Sequence, residues 1–201
     1  MKPIYLDYNA TTPIAKEVAD AMLPFLYGRF GNPSSSHAYG IEAKQAVENA
    51  RASIAQMIGA LREEIIFTSG GSEANNLAIQ GAALSLRERG NHLITSSIEH
   101  PAVLEVCAAL EKQGFQVTYL PIDSEGLLDP EEVRRALRPT TILVTLMLAN
   151  NEIGTLQPVR EVARLCKERG ILVHTDAAQA IGKIPVNVKE LGVDLLSLAG
   201  H

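Results

Sequence analysis

The chain has 201 residues, which suits one large domain with a sizeable hydrophobic core. Its 18 Lys and Arg residues against 23 Asp and Glu residues give a formal net charge of −5 with no basic run, so nucleic acid is not an expected partner. Hydrophobic residues make up 46% and charged residues 20%, a globular composition that argues against disorder. Two cysteines are too few for a disulfide framework and favour a reducing compartment.

The N-terminus, MKPIYLDYNATTP, becomes polar by its seventh residue and therefore lacks the apolar core of a signal peptide. The longest apolar stretch, residues 142–149, is far shorter than the roughly 20 residues that cross a bilayer. We therefore expect a soluble, cytoplasmic protein without a membrane partner.

Six short runs rich in β-branched and aliphatic residues predict strands. They cover residues 64–69, 92–98, 116–122, 141–148, 171–177 and 194–199. Between them, apolar residues recur at helical spacing, for instance at Val103, Val106, Cys107 and Leu110. Apolar strands that alternate with amphipathic helices indicate an α/β fold with a mostly parallel sheet and helices on both faces.

The two ends of the chain carry separate predictions. Residues 1–12 precede the first predicted helix and are expected to form an N-terminal arm, whereas residues 13–201 form the large domain. The final run, DLLSLAGH, has the pattern of a buried strand that enters a turn and then stops. Because that strand lacks a following element, we expect the natural protein to continue beyond His201.

In a parallel α/β sheet, ligands bind beyond the carboxyl ends of the strands, so the residues that leave each strand are the candidates for a site. After the first run come Gly70, Gly71, Ser72 and Glu73, and then a helix. Glycines allow close backbone approach to an anion, and the helix N-terminus and the Ser72 hydroxyl add donors, which predicts a phosphate cradle. An ordinary turn with Ser72 as the N-cap is equally compatible with the pattern.

Asp176 ends a run of apolar and β-branched residues, where a carboxylate requires a cation or hydrogen-bond donors. One such partner is the protonated ring nitrogen of pyridoxal phosphate. Taken alone, Asp176 is better explained as the cap of the short Ala-rich segment that follows. Gln179 lies three residues later and would face the same side if that segment were helical.

Polar residues also follow two other predicted strands. Glu99 and His100 leave the run HLITSSI, and Pro101 suits the first turn of a helix. A histidine at this position can stack on a flat ring or move protons, or it can simply cap the helix. Asn150 and Asn151 offer amides for a ligand hydroxyl or for an Asx turn. These weak signals gain weight together because all of them fall at one edge of one sheet.

The cysteines are expected to be core residues, and the remaining histidines are not expected to bind zinc. Cys107 and Cys166 lie on the apolar stripes of predicted helices, which makes them core residues rather than nucleophiles. His37, His92 and His174 show no metal-ligand spacing with either cysteine, so no metal site is expected.

Seven sequence blocks together span nearly the whole chain. In chain order they are YLDYNATTP (5–13), FGNPSSSH (30–37), FTSGGSEANN (67–76), EHPAV (99–103), ANNEIGTLQP (149–158), HTDAAQAIGKIPV (174–186) and DLLSLAGH (194–201). In content and order they resemble the pyridoxal-phosphate-dependent cysteine desulfurases of the iron–sulfur-cluster and nitrogen-fixation class, within the class V aminotransferase superfamily. The resemblance implies a fold-type-I large domain whose small C-terminal domain is not in the chain.

The resemblance also implies an activity and partners. The reaction would remove sulfur from L-cysteine and give L-alanine and an enzyme persulfide, with pyridoxal 5'-phosphate as cofactor. A homodimer and a sulfur-acceptor protein, such as an iron–sulfur scaffold, would be the partners. Residue by residue, Gly71 and Ser72 would bind the cofactor phosphate, His100 would stack on the ring and move protons, and Asp176 would pair with the ring nitrogen.

Further cofactor contacts are implied at four other positions. Asn151 and Gln179 would contact the ring or its 3-hydroxyl, and Gly200 and His201 would lie on the phosphate side. In the family, the pattern Ser-x-Ser-Gly-His leads directly into the lysine that binds the cofactor covalently. Ala199 stands where a phosphate-binding Ser is usual, which puts one phosphate hydrogen bond in doubt.

The family's lysine and nucleophilic cysteine would both lie beyond His201, so these 201 residues alone are expected to be inactive. The end of the chain reflects either a truncation or a break at a lysine that carries the cofactor, and its position favours the second. Two alternatives stay open. One is another fold-type-I enzyme, such as a selenocysteine lyase or a small-amino-acid aminotransferase, and the other is a non-catalytic half-chain that serves as a binding module.

Overall fold

A computed structural model describes residues 3–201 and divides into two compact units. The first unit runs to Ile66 and also includes His201, and the second, the sheet unit, runs from Phe67 to Gly200. The first unit contains α1 (Lys16–Tyr27), α2 (Ala38–Ile58) and a single 3-10 turn (Arg62–Glu64). The sheet unit contains α3 (Gly71–Ser85), β1 (His92–Ser96), α4 (Pro101–Glu111), β2 (Gln116–Leu120), α5 (Pro130–Ala136), β3 (Thr141–Thr145), α6 (Val159–Lys167), β4 (Leu172–Asp176), α7 (Val188–Leu191) and β5 (Leu195–Ser197).

The first unit buries few side chains. No residue of α1 is buried, although the helix carries apolar residues such as Met22 and Leu26, and α2 buries only Gly40, Ala55 and Ile58. The division into an arm at residues 1–12 and a domain at residues 13–201 stays a prediction.

The sheet is parallel throughout, with the strand order β2-β1-β3-β4-β5. One core cluster packs α3 and α4 against it, around Ile79, Leu93 and Val103. A second cluster packs α5 and α6 around Val133 and Val162. The two clusters confirm the predicted α/β fold with helices on both faces, because apolar strands of this kind require cover on each side.

Five of the six predicted strands are present, each shorter than its apolar run. The prediction at residues 64–69 is wrong: Ile65 has extended backbone, but no strand pairs with this segment among residues 3–201. Ile66 and Phe67 are 69% and 46% exposed, so this segment does not contribute a buried face to the sheet. A strand needs a hydrogen-bonded neighbour as well as an extended backbone, and only the second condition holds here.

The strand order reverses between β1 and β3. From β1 the chain crosses to β2 on one side, and it then crosses back to place β3 on the other side. Open parallel sheets bind ligands beyond the carboxyl ends of the strands that flank such a reversal. The residues that follow β1 and β3 therefore begin the candidate site.

Candidate functional site

The N-terminus of α3 is open to a ligand. Gly70 is its N-cap and no side chain caps the first turn, so free N–H groups point out of the helix end. A Cβ placed on Gly70 would meet no heavy atom within 4 Å, and one on Gly71 would meet only the Cβ of Ala199, at 3.8 Å. The interpretation of Ser72 as the N-cap is wrong, because Gly70 occupies that position and Ser72 lies inside the first turn with an exposed side chain.

Glu73 is the acidic residue of this first turn. Its Oε2 accepts a hydrogen bond from the backbone N–H of Ser69 at 2.6 Å, and hydrogen bonding with the side chain and the backbone of Ser69 lowers the pKa of the carboxyl. The carboxylate is thus tied to the residue before the turn and leaves the backbone groups of Gly71 and Ser72 available for an anion.

Asp176 lies at the carboxyl end of β4 and is 7% exposed. Its Oδ2 accepts a hydrogen bond from Asn75 Nδ2 of α3 at 2.7 Å, and its Oδ1 accepts one from the backbone N–H of Ala178 at 3.0 Å. Through the Ala178 contact Asp176 caps the segment that follows, as the cap interpretation predicted, but residues 178–183 form successive turns and not a helix. Gln179 is therefore not on a helix, and its Oε1 accepts a hydrogen bond from Lys183 Nζ at 2.7 Å.

His100 is the exposed N-cap of α4, followed by Pro101 in the first turn, as predicted. Its Nδ1 accepts the backbone N–H of Ala102 at 3.1 Å, so a neutral ring carries its proton on Nε2. The interpretation as a helix cap is confirmed, and it leaves the exposed ring free to contact a ligand as well.

Glu99, which directly precedes His100 in the chain, is buried, and sequence reasoning gave it no role. Its Oε1 accepts the Ser96 hydroxyl at 2.6 Å, and both carboxyl oxygens lie 3.0 Å from the backbone N–H of Met147. Burial raises the pKa of Glu99 to about 8, and the nearby charge of Asp176 adds to this effect. The side chain ties the segment after β1 to the segment after β3, which are the two strands that flank the reversal in strand order.

The Asx interpretation is confirmed for Asn150. Its Oδ1 accepts the backbone N–H groups of Glu152 and Ile153 at 2.9 and 3.1 Å, and its Nδ2 donates to the Ile98 carbonyl at 3.0 Å. The neighbouring Asn151 is partly exposed and donates from Nδ2 to Glu152 Oε1 at 2.8 Å. Its contact with a ligand stays a prediction.

Sequence reasoning also missed Asn75. The side chain is 1% exposed, and its Oδ1 has no hydrogen-bond partner within the part of the chain that the structure describes. A signal was available: Asn75 lies one helical turn before the core residue Ile79, and a polar side chain on an apolar stripe needs a buried partner.

The structure brings several of the predicted residues together. Asp176 pairs in register with Ser197 of β5, and Gly71 lies beside Ala199 just beyond that strand. Gly200 has open space around its Cα, whereas His201 falls in the first unit, so its phosphate contact stays a prediction. The edge of the sheet therefore combines an uncapped helix N-terminus with a buried carboxylate.

The cysteines lie in the core, as predicted, and His174 is buried as well. Cys107 and Cys166 are buried free thiols, and burial raises the pKa of each to about 12. His174 lies 2.8 Å from the Thr145 hydroxyl and 3.0 Å from that of Ser197, and burial lowers its pKa to about 4.

Two features are absent from residues 3–201. No group of three or more His, Cys, Asp or Glu side chains is placed to hold a metal ion. None of the helices in this range has the length and apolar character that a membrane crossing requires.

Comparisons with known proteins place these observations in a family context. Residues 4–201 match the family described as Aminotransferase class-V. The chain is 58% identical over 200 residues to the cysteine desulfurase IscS of Dictyoglomus turgidum, covering 100% of this chain and 51% of the relative. It is 54% identical to the cysteine desulfurase IscS of Methanosarcina thermophila, again covering the whole chain and 50% of the relative.

A solved structure titled SspA in complex with cysteine superposes with a TM-score of 0.95 at 46% sequence identity, covering 98% of this chain and 57% of that one. The chain thus spans about half the length of the curated relatives it matches. Proteins of this family and the matching desulfurases are pyridoxal-phosphate enzymes.

Proposed function

Because the chain belongs to the class-V aminotransferase family, we propose that it forms the cofactor-binding part of a pyridoxal-phosphate-dependent cysteine desulfurase. The reaction removes sulfur from L-cysteine, leaves L-alanine and transfers the sulfur to an enzyme cysteine as a persulfide. The relatives named cysteine desulfurase and the neighbour solved with cysteine support this substrate. The observation that carries the proposal is the buried Asp176 carboxylate at the same sheet edge as the open N-terminus of α3.

The residues at the end of α3 fit a phosphate group. The first-turn N–H groups are uncapped, the exposed Ser72 hydroxyl can donate, and the missing side chain at Gly71 allows close approach. Ala199 contributes only a methyl group beside Gly71. The phosphate would therefore depend on the helix end and on Ser72, because Ala199 stands where a phosphate-binding Ser is usual in the family.

The residues at the strand ends fit a flat, cationic ring. Pyridoxal phosphate, when bound, supplies a ring that withdraws electrons from the substrate α-carbon, and it does so best with its nitrogen protonated. Asp176 would accept a hydrogen bond from that nitrogen and hold the proton there, because each of its oxygens has only one donor within residues 3–201. His100 would stack on the ring and exchange protons at Nε2, since its Nδ1 is occupied by Ala102.

Other side chains would complete the site. Asn151 and Gln179 would donate to the ring or its 3-hydroxyl, and Gly200 and His201 would approach the phosphate. The lysine that binds the cofactor and the cysteine that accepts sulfur belong to parts of the family pattern outside residues 1–201. Neither Cys107 nor Cys166 takes the second role, because both thiols are buried and resist ionisation.

The proposal extends to partners and location. A homodimer is supported by α1, whose apolar residues Met22, Leu23 and Leu26 are exposed and available for a second copy. A persulfide must be passed on, which calls for a sulfur-acceptor protein such as an iron–sulfur scaffold. Two free, buried thiols support a reducing compartment, and we place the protein in the cytoplasm.

The test uses the complete protein with L-cysteine and pyridoxal phosphate. We expect uptake of the cofactor, one alanine for each sulfide released in the presence of a thiol, and no keto acid. Replacing Ser72 with Ala should weaken cofactor affinity about tenfold, because a hydrogen bond to a charged group is lost. The matched variant Ser85→Ala, at the exposed last residue of the same helix, should bind as the wild type does. A keto acid in place of alanine would indicate an aminotransferase instead.

A further inference from the structure

The amide of Asn75 is the only side chain among the described residues that donates a hydrogen bond to Asp176. It approaches from α3, the helix whose N-terminus is the proposed phosphate site, and it lies four residues after Gly71. One helix therefore carries both the anion-binding end and the group that holds the buried acid. Asn75 is 1% exposed and Asp176 is 7% exposed, so water does not readily substitute for this contact.

The orientation of the amide follows from the chemistry of its partner. A carboxylate only accepts hydrogen bonds, so Nδ2 must face Asp176 and Oδ1 must face the other way. Oδ1 is then buried without a partner within residues 3–201, which is a cost that native proteins rarely accept. Asn75 therefore donates from Nδ2 to Asp176 while its Oδ1 accepts no hydrogen bond within the described residues.

The two donors to Asp176 together fix the plane of its carboxylate. Asn75 Nδ2 bonds to Oδ2 at 2.7 Å, and the Ala178 N–H bonds to Oδ1 at 3.0 Å. The Ala178 contact alone would leave the carboxylate free to swing about one oxygen, because the turns at 178–183 supply no second donor. With both contacts in place, the carboxylate cannot rotate, so the unused lone pairs of Oδ1 and Oδ2 point in a fixed direction.

We infer that Asn75 is a positioning residue that holds the Asp176 carboxylate in the orientation needed to bond the cofactor's ring nitrogen. Because Asn75 belongs to α3, the same helix would position both this carboxylate and the cofactor phosphate at its N-terminus. This inference rests on the proposed function and goes beyond it by assigning a role to a residue outside the expected cofactor contacts. Asn75 itself touches no reacting atom. It acts through Asp176, so its effect should vanish when the Asp176 charge is absent.

The experiment is a double-mutant cycle in the complete, cofactor-loaded protein with Asn75→Leu and Asp176→Asn. We expect Asn75→Leu to lower kcat about tenfold in the wild-type background, because a charge-assisted hydrogen bond is lost, with less than a twofold change in KM. In the Asp176→Asn background, the same substitution should change kcat less than about twofold. The second readout is the nitrogen-15 chemical shift of ring-labelled pyridoxal phosphate, which should move toward the unprotonated value in Asn75→Leu.

Two further variants keep the outcome decisive. Asn75→Ala removes the same donor without adding bulk, so it serves if the leucine variant fails to fold. Ile79→Ala, one turn later on α3 and fully buried, lowers stability without touching Asp176 and should leave the nitrogen-15 shift unchanged.

The results separate this inference from the proposed function. A wild-type protein that takes up no pyridoxal phosphate overturns the proposed function and this inference with it. A wild type that binds the cofactor, together with Asn75 variants that keep its nitrogen-15 shift and kcat, overturns the inference alone. Equal losses in both backgrounds would also overturn it, because they would show a general structural effect rather than one exerted through Asp176.

Discussion

At the amino end of β1, the imidazole of His92 is fully buried, and its two ring nitrogens lie 2.7 and 2.8 Å from the hydroxyls of Thr141 and Thr118. At the carboxyl ends of the same sheet, the buried polar groups include the carboxyls of Glu99 and Asp176. These two ends differ in charge and also in how completely their polar atoms are paired.

The amino end is closed by its own hydrogen bonds, whereas the carboxyl end is not. Asn75 Oδ1 and Thr95 Oγ1 are the buried side-chain atoms without a partner in residues 3–201, and both lie toward the carboxyl end. Buried polar groups that satisfy one another add stability and specificity. A buried polar atom without a partner costs free energy that a hydrogen bond from a ligand can recover. The difference therefore separates a structural end of the sheet from a functional end, the one that carries the proposed site.

The largest effect should come from removing the charge at the functional end. Asp176→Asn in the complete protein keeps the size of the side chain but loses the stabilisation of a protonated ring nitrogen. If that is worth roughly 3 to 4 kcal/mol, sulfur release should slow by about two to three orders of magnitude. Cofactor content should fall less, because the phosphate site is intact.

A matched control for that experiment is Asp129→Asn. Asp129 caps α5 through a bond to the Glu131 N–H, and asparagine caps helices about as well as aspartate. The turnover of the Asp129→Asn variant should equal that of the wild type. Normal turnover in Asp176→Asn as well would show that the acid is structural and that the site is misplaced.

A substitution at the structural end should lower stability and leave activity unchanged. His92→Leu removes one hydrogen-bond partner from the buried Thr141 hydroxyl and one from the partly buried Thr118 hydroxyl, both of which keep a contact with Arg138, and should lower the free energy of unfolding by about 2 kcal/mol. Cofactor affinity and turnover should be unchanged, because His92 lies at the end of β1 away from the site. Urea unfolding measures the first quantity and cofactor titration the second. A loss of cofactor affinity in His92→Leu would contradict the assignment of this end of the sheet as structural.

The pH dependence of stability should also distinguish the ends. Burial raises the pKa of Glu99 to about 8 from an ordinary 4.5, so its contribution to stability is complete below pH 4.5 and is lost as the pH rises towards 8. Glu99→Gln removes the ionisation and should flatten this part of the stability curve. Urea unfolding of both proteins across this range provides the check, and parallel curves would show that Glu99 does not titrate as the geometry implies.

The buried histidines have the reverse dependence. Burial lowers the pKa of His92 and of His174 to about 4 from 6.5, so their contribution is complete above pH 6.5 and is lost as the pH falls towards 4. The acid limb of the stability curve should therefore be shallower in His92→Leu than in the wild type, whereas the limb above pH 6.5 should keep its slope.

The smallest effect is expected in the core between the two ends. Replacing Cys107 and Cys166 together with Ala removes one buried sulfur at each site and should cost about 1 kcal/mol per site. Desulfurase activity should be retained by the complete protein. Loss of persulfide formation in a folded double variant would show that Cys107 or Cys166 takes part in the reaction.

Much of the fold could be predicted because it depends on local pattern. The stripe at Val103, Val106, Cys107 and Leu110 gives α4, and all four residues are buried. The run at residues 64–69 has the composition of a strand but is unpaired, because pairing depends on a distant segment that composition does not reveal.

The site was predictable in part. Asp176 and His100 could be found because each leaves a strand at the expected edge. Asn75 and Glu99 could not be assigned roles, because their partners are 101 and 48 residues away in sequence. A hydrogen bond across such a distance is a property of the tertiary structure, and no local spacing encodes it.

The strand order has a consequence for synthesis of the chain. β1 lies in the interior of the sheet but appears first, and its neighbours β2 and β3 are complete once Thr145 has been made. At about 5 to 20 residues per second, the roughly 50 residues from there to the end of β5 take about 3 to 10 s to appear. During that interval a nascent three-stranded sheet exposes the hydrogen-bonding edge of β3 that β4 later covers. A chaperone that masks this edge would protect the chain when it is most prone to aggregate, before Asp176 reaches its place.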